Sequence, residues 1–324
     1  MSFLNWLLNP YVEGVCTSST SQKDKTRIIL PSKSIYRPET FDDYIGQNKA
    51  KNIIKGYIEG TQKRDVIFPH TLISGSPGFG KTSLALLIAL YLKVKYVYCI
   101  GSDIESYEDI IDRIEKVNGG IIFLDEIHSL KREMAEKLYP ILEDFRGCES
   151  VFTLVGATTE LGEIIKDRKP FFDRFKIIIE LEKYTLEDLV RMVCLYKNRL
   201  FNKENINNKC YKLLAENCRG TPRNLIRLLE SLVYLDGNIE RVLKNFSIIK
   251  DGYTASDLKI LEYIKSSKNV VGLNSLSNYL DTSVENYLYY IEPYLLQTDI
   301  IVRTSKGRRL TEKGMNLIER LNNA

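Results

Sequence analysis

Only two histidines, His70 and His128, occur in the 324-residue chain. That speaks against metal centres built on imidazole and against nucleophile–histidine triads. The six cysteines (Cys16, Cys99, Cys148, Cys194, Cys210, Cys218) include no Cys-x-x-Cys pair. Neither a zinc knuckle nor a disulfide framework is indicated, and reduced thiols of a cytoplasmic protein fit the pattern. No apolar run reaches the ~20 residues that cross a bilayer. The opening MSFLNWLLNP is apolar, but it lacks a basic start and a small-residue cleavage site. It reads as a docking or packing segment rather than a signal peptide. A net charge of +4 is too small to force nucleic-acid binding and does not forbid it.

What is present centres on one stretch. Gly75-Ser76-Pro77-Gly78-Phe79-Gly80-Lys81-Thr82 satisfies G-x-x-x-x-G-K-[ST] in full. Gly78 and Gly80 permit the tight turns that aim successive N–H groups at phosphate oxygens. Lys81 is placed to reach β- and γ-phosphates, and the Thr82 hydroxyl to ligate Mg²⁺. Thr71-Leu72-Ile73 predicts a strand before the loop, and Ser83 to Ala89 a helix after it, whose positive end faces the anion.

Further along, Gly120-Ile121-Ile122-Phe123-Leu124-Asp125-Glu126 predicts a buried strand ending in two carboxylates. Open α/β sheets bind ligands at that end of their strands. Asp125 is expected on the metal side and Glu126 beside the attacking water. Strands are also expected at Lys95–Ile100, Phe152–Thr159 and Lys176–Leu181, with helices at about 48–59, 106–117 and 131–144. Alternation of this kind predicts a doubly wound α/β domain. Helices alone follow from Thr185 to about Leu235. The remainder reads helix, short strand (Val270–Gly272), helix, a helix capped at Thr282, then Ile300–Arg303, a basic turn and a last helix. Three helices and a hairpin are the order of a winged helix.

These motifs resemble an AAA+ ATPase and, more closely, the RuvB family of Holliday-junction motors. The likeness is carried by YRPETFDDYIGQ, GSPGFGKTSLA, FLDEIHSL, EKLYPILEDF, FTLVGATT, DRFKI, RGTPRNLIRLL, VGLNSL and IEPYLLQ followed by RTSKGR. It implies an α/β P-loop ATPase domain at 35–181, a helical lid at 182–250 and a DNA-binding winged helix at 251–324. A tail at 1–34 precedes them and is expected to be partly mobile. It also implies ATP and Mg²⁺ as ligands, a hexameric ring, and sequence-independent contact with DNA.

By the same resemblance, Tyr36 and Arg37 contact the adenine end. Gly75, Gly78, Gly80, Lys81, Thr82 and Ser83 hold phosphates and metal. Glu143, Asp144 and Phe145 match a nucleotide-proximal segment. Thr159 is sensor 1, and Arg174 the finger that enters a neighbouring subunit's site. Tyr184 and Arg223 line the lid side, Arg223 as sensor 2. Arg303 and Arg308 match wing arginines on the DNA backbone.

Two departures stand out. The family carries a long hairpin for gripping its partner RuvA, and here only Arg146–Val151 fills that gap. RuvA docking of the usual kind is therefore not expected. An arginine follows GATT in the family, and here it is Glu160. Two outputs remain open: a motor on branched or duplex DNA in recombination, repair or replication, or an ATP-controlled loader that recruits another protein.

Overall fold

The computed structural model describes residues 36–201, 206–267 and 270–322. The expected N-terminal tail lies outside them. The chain divides between Tyr184 and Thr185 into two compact units.

The first unit is built on a parallel sheet of strands β1 (Thr71–Ser74), β2 (Tyr96–Ile100), β3 (Ile121–Asp125), β4 (Thr153–Thr158) and β5 (Ile177–Glu180), in the order β2-β3-β4-β1-β5. Period-two alternation feeds both faces at once. Ile73, Phe123, Val155 and Ala157 point to the face covered by helices Asn48–Arg64 and Lys81–Leu92. Leu72, Ile122, Leu124 and Leu154 point to the face covered by Tyr107–Val117 and Arg132–Asp144. Burial on both faces explains why these strands read as unbroken apolar runs.

Helix starts follow local chemistry. Ser106 caps Tyr107–Val117 in a reciprocal box with Asp109. The helix foreseen at 48–59 runs five residues further, to Arg64. No strand occurs between Phe145 and Phe152, where a turn closes with the Cys148 N–H on the Phe145 carbonyl at 3.0 Å.

The second unit holds both the helical segment and the winged helix. Helices Leu186–Leu200, Asn208–Asn217, Pro222–Tyr234 and Ile239–Asn245 come first, the leading one capped by a Thr185–Asp188 box. A small hairpin, β6 (Ile248–Lys250) and β7 (Tyr253–Thr254), leads into helix Ala255–Ser266. The wing is β8 (Ile301–Thr304) paired antiparallel with β9 (Gly307–Leu310). The strand expected at Val270–Gly272 is reduced to one bridge, Val271 to Arg308. Glycine is required at 307, because a Cβ there would stand 2.2 Å from the Val271 carbonyl oxygen.

One cap moves. Ser283, not Thr282, caps the helical stretch before the wing, accepting from the Asn286 N–H. That stretch is also not one α-helix. It widens into a π turn at Tyr287–Ile291 before Glu292–Gln297. Pro293 has no N–H to give to the carbonyl four residues back, so the regular ladder cannot run through.

Candidate nucleotide site and wing

At the C-terminal end of β1 the chain turns through Gly75, Gly78 and Gly80, all with positive φ. Tyr44 closes on the loop from outside. Its hydroxyl donates to the Gly80 carbonyl at 3.2 Å, and a Cβ on Gly80 would stand 3.0 Å from that hydroxyl and 3.1 Å from the ring. Tyr44 lies within the YRPETFDDYIGQ stretch, yet sequence reasoning assigns it no task. Tyr184 supports the loop from the other side, its hydroxyl donating to the Phe79 carbonyl at 2.8 Å. Lys81 opens the helix and is nearly buried. Its ammonium donates to the carbonyls of Gly75 at 2.6 Å and Ser76 at 3.2 Å, so the charge sits across the mouth of the loop. Ser83 follows on the same first turn, half-buried. Tyr36 and Arg37 are half-buried at the start of the described chain.

β3 delivers the acidic pair. Thr82 donates its hydroxyl to Asp125 Oδ2 at 3.3 Å, and Tyr98 donates to the same oxygen at 3.4 Å. Tyr98, on the neighbouring strand, is a second site residue that sequence reasoning missed. Glu126 adopts left-handed backbone, φ 48°, with its N–H on Asp125 Oδ1 at 3.1 Å and its side chain exposed. That backbone region is costly for a non-glycine residue, and the turn sets Glu126 just past the strand end.

β4 lies between β1 and β3, so its end reaches both motifs. Thr158 and Thr159 part company at that point. Thr158 is buried, hydrogen-bonded to His128 Nδ1 at 3.1 Å and accepting from the Glu160 N–H at 2.9 Å. Thr159 is exposed beyond the strand end. The Glu160 carboxylate comes within 4.0 Å of His128 Nε2, so the residue that departs from the family pattern joins the histidine of DEIH. His70 has a purely structural place. Buried, it faces the Leu142 carbonyl at 3.1 Å and accepts from the Leu154 N–H at 2.9 Å, and burial pulls its pKa down to about 4.

Arg174, Glu143, Asp144 and Phe145 gather elsewhere. Arg174 Nη2 donates to Glu143 at 2.9 Å, Asp144 pairs with Arg146 at 2.8 Å, and the Phe145 ring lies against His70 and Phe152. This cluster stands at the N-terminal edge of the sheet, where the Lys176 N–H bonds to the His70 carbonyl just before β1. The phosphate loop is at the opposite edge, a four-residue strand away, roughly 13 Å at ~3.3 Å per residue. These four residues are therefore brought together with one another and not with their own chain's P-loop.

In the second unit, Arg223 is exposed in the first turn of Pro222–Tyr234. Arg303 and Arg308 meet, but on a carboxylate. Glu292, wholly buried, accepts from Arg303 Nη2 at 2.7 Å and from Arg308 Nε at 2.6 Å and Nη2 at 3.2 Å. Burial works against its ionisation, yet the two arginines outweigh that and hold its pKa below the usual carboxylate range. Arg308 is 13% exposed and Arg303 57%. Lys306 and Arg309 are exposed on the same hairpin. Glu292 could have been suspected from the sequence, as an acid inside an otherwise apolar stretch before a basic turn.

Among the described residues no helix is long and apolar enough to cross a membrane, and no group of three or more His, Cys, Asp or Glu could hold a metal ion.

Residues 36–147 match the Holliday junction DNA helicase RuvB P-loop domain, and residues 250–319 the RuvB C-terminal winged helix domain. The Holliday junction branch migration complex subunit RuvB of Mycoplasmopsis pulmonis is 32% identical over 90% of this chain and 100% of its own length. That of Ehrlichia chaffeensis is 34% identical over 86% of this chain and 92% of its own. The solved structure of the Thermotoga maritima RuvB Holliday junction branch migration motor superposes with a TM-score of 0.76 at 33% identity. It covers 88% of this chain and 99% of that one.

Proposed function

The chain belongs to the RuvB family, and from that premise we propose that it is an ATP-hydrolysing motor that moves branch points in DNA during recombination. One observation carries the assembly: Arg174 lies at the sheet edge opposite its own P-loop. It can serve hydrolysis only in another subunit, as in a ring, and a hexamer is the form we infer. Glu143, Asp144 and Phe145 then belong to the surface offered to that neighbour's nucleotide.

Within a site, the loop N–H groups and Lys81 bind the phosphates, Tyr36 and Arg37 take the adenine end, and Tyr184 lines the lid side. Thr82 and Asp125 present oxygens 3.3 Å apart, a donor pair that suits Mg²⁺. When bound, the ion supplies neutralising charge on the phosphates. Glu126 orients the attacking water, while Thr159 and Arg223 respond to the γ-phosphate. Arg303 touches the DNA backbone, and Arg308 acts with it through Glu292. Such contact ignores base sequence, as a motor travelling along any duplex requires.

An ATP-controlled loader is the weaker reading, because the likeness to branch-migration subunits runs through the winged helix. RuvA is not expected to dock through Arg146–Val151, which is a plain turn. The deciding experiment supplies ATP, Mg²⁺ and a synthetic four-way junction without any partner protein. ATP-dependent branch displacement is expected. Junction binding and ATP turnover without displacement would overturn the motor reading in favour of the loader.

A further inference from the structure

Arg219 stands four residues before Arg223, on the turn between two helices of the second unit. Helix Asn208–Asn217 stops, Arg219 takes left-handed backbone (φ 54°), and Gly220 follows at φ 69°. Thr221 then caps the next helix, accepting from the Asn224 N–H at 3.3 Å, which sets Arg223 in its first turn.

The Arg219 side chain points the other way, into the winged helix. Its Nε donates to the Gly252 carbonyl at 2.9 Å. Its Nη2 donates to the Asp257 carboxylate and lies 3.4 Å from the Thr254 hydroxyl. The guanidinium also lies over the Tyr294 ring at 4.8 Å. Two residues earlier, Asn217 Oδ1 accepts from the Gly252 N–H at 3.0 Å. Asp257 is wholly buried and Arg219 is 17% exposed, so this is an interior clamp rather than a surface pair. It spans the entry to the winged helix, where Ser247, Asp251 and Gly252 all have positive φ and the chain bends sharply. Asp251 and Gly252 form the turn of the β6–β7 hairpin, and the clamp fastens that turn to the end of helix Asn208–Asn217.

We propose that Arg219 is the positioning residue that couples the nucleotide-sensing end of the lid to the DNA-binding winged helix. One short turn carries Arg223 at one end and clamps the winged helix with the other. Any reorientation of Arg223 between nucleotide states is then passed to the wing as movement of one body, not dissipated at the bend. The proposal rests on Arg223 reading the nucleotide and on the wing holding DNA.

The test measures duplex affinity of the full-length protein with and without a non-hydrolysable ATP analogue and Mg²⁺. Coupling between two ligands must appear as a change in the affinity of each. Wild type is expected to change its duplex affinity at least about fivefold on adding the analogue, the lower end of ordinary couplings. Arg219→Lys keeps a charge near Asp257 but loses the planar fork and its stacking on Tyr294. It should bind analogue and duplex separately within about twofold of wild type and lose most of the coupling. Asn217→Ala, which removes only the acceptor for the Gly252 N–H, is the milder second variant and should lose part of it. Coupling retained in both variants, with amide exchange at Gly252 showing the clamp opened, would overturn the proposal. So would a wild type that binds both ligands with no coupling, a result that leaves the motor reading standing. Absence of ATP turnover or of DNA binding in wild type would count against the motor reading itself.

Discussion

The two units treat charge in opposite ways. In the first, the site's charged side chains stand at strand and helix ends: Glu126 is exposed, and Glu143 faces solvent beside Arg174. In the second, Asp257 and Glu292 are wholly buried, Asp257 held by Arg219 from a turn and Glu292 by Arg303 and Arg308 from the wing strands. A chemical site needs groups that an arriving substrate can reach, even where one of them, Lys81, is nearly buried. A lever needs its parts fixed to one another, and a buried ion pair fixes geometry because breaking it strands a charge. The two buried acids also differ. Two arginines keep the Glu292 pKa below its usual range, whereas burial pushes Asp257 up in spite of its single arginine.

The largest expected effect belongs to the first unit and to its oligomeric use. Arg174→Ala should lower ATP turnover by roughly 10³–10⁵-fold, the usual worth of an arginine finger. Mixing it with Lys81→Ala subunits should restore activity, since some interfaces then join an intact loop to an intact finger. Mixtures that never exceed the sum of the two mutants would show that Arg174 does not act in trans, and the inferred ring would go with it.

Glu126→Gln comes next. It leaves Thr82 and Asp125 in place and removes the group that orients water. ATP binding should persist while turnover drops by roughly 10²–10⁴-fold. Turnover at the wild-type rate would mean that the left-handed turn after Asp125 serves something other than hydrolysis.

The P-loop and the acidic strand end were readable as contiguous motifs whose spacing encodes its own turn, whereas Arg174 was named only by the family resemblance. The P-loop, the acidic strand end and the strand–helix alternation are short-range patterns, and the parallel sheet follows from them. What was not legible joins residues far apart in the chain. Tyr44 reaches Gly80 across 36 residues, Arg219 reaches Asp257 across 38, and Arg308 reaches Glu292 across 16. No local periodicity records such a pairing. The same gap explains the wing, where the expectation of two arginines on DNA missed the carboxylate that organises them. It explains Glu143 to Phe145 as well, since a motif names a nucleotide-proximal segment without saying whose nucleotide.

Glu292 separates the two wing arginines in a way that stability measurements can read. Arg308 supplies two of its hydrogen bonds and is mostly buried. Arg308→Ala should destabilise the folded protein by about 2–3 kcal/mol, as the carboxylate keeps one partner of two. Urea unfolding checks this. A loss below about 0.5 kcal/mol, the range of ordinary surface substitutions, would show that the buried carboxylate is not what holds the wing.

Arg303→Ala has the smallest effect and is the cleaner probe of DNA. Both Glu292 oxygens remain bonded to Arg308 in its absence, and Arg303 is more than half exposed, so stability should change by less than about 1 kcal/mol. Duplex binding should weaken to a similar degree for every base sequence, because a phosphate contact carries no sequence information. The slope of log affinity against log salt should flatten by about one, as expected when one phosphate is no longer neutralised by the protein. ATP binding should be unaffected, since the P-loop belongs to the other unit. Basic and acidic residues balance at nine each over 251–324, so the whole winged helix offers no general attraction that could hide the loss. An unchanged salt slope in Arg303→Ala, with Lys306→Ala and Arg309→Ala equally silent, would mean that the wing does not touch DNA. The winged helix would then be a protein-binding element, and the loader reading would regain its footing.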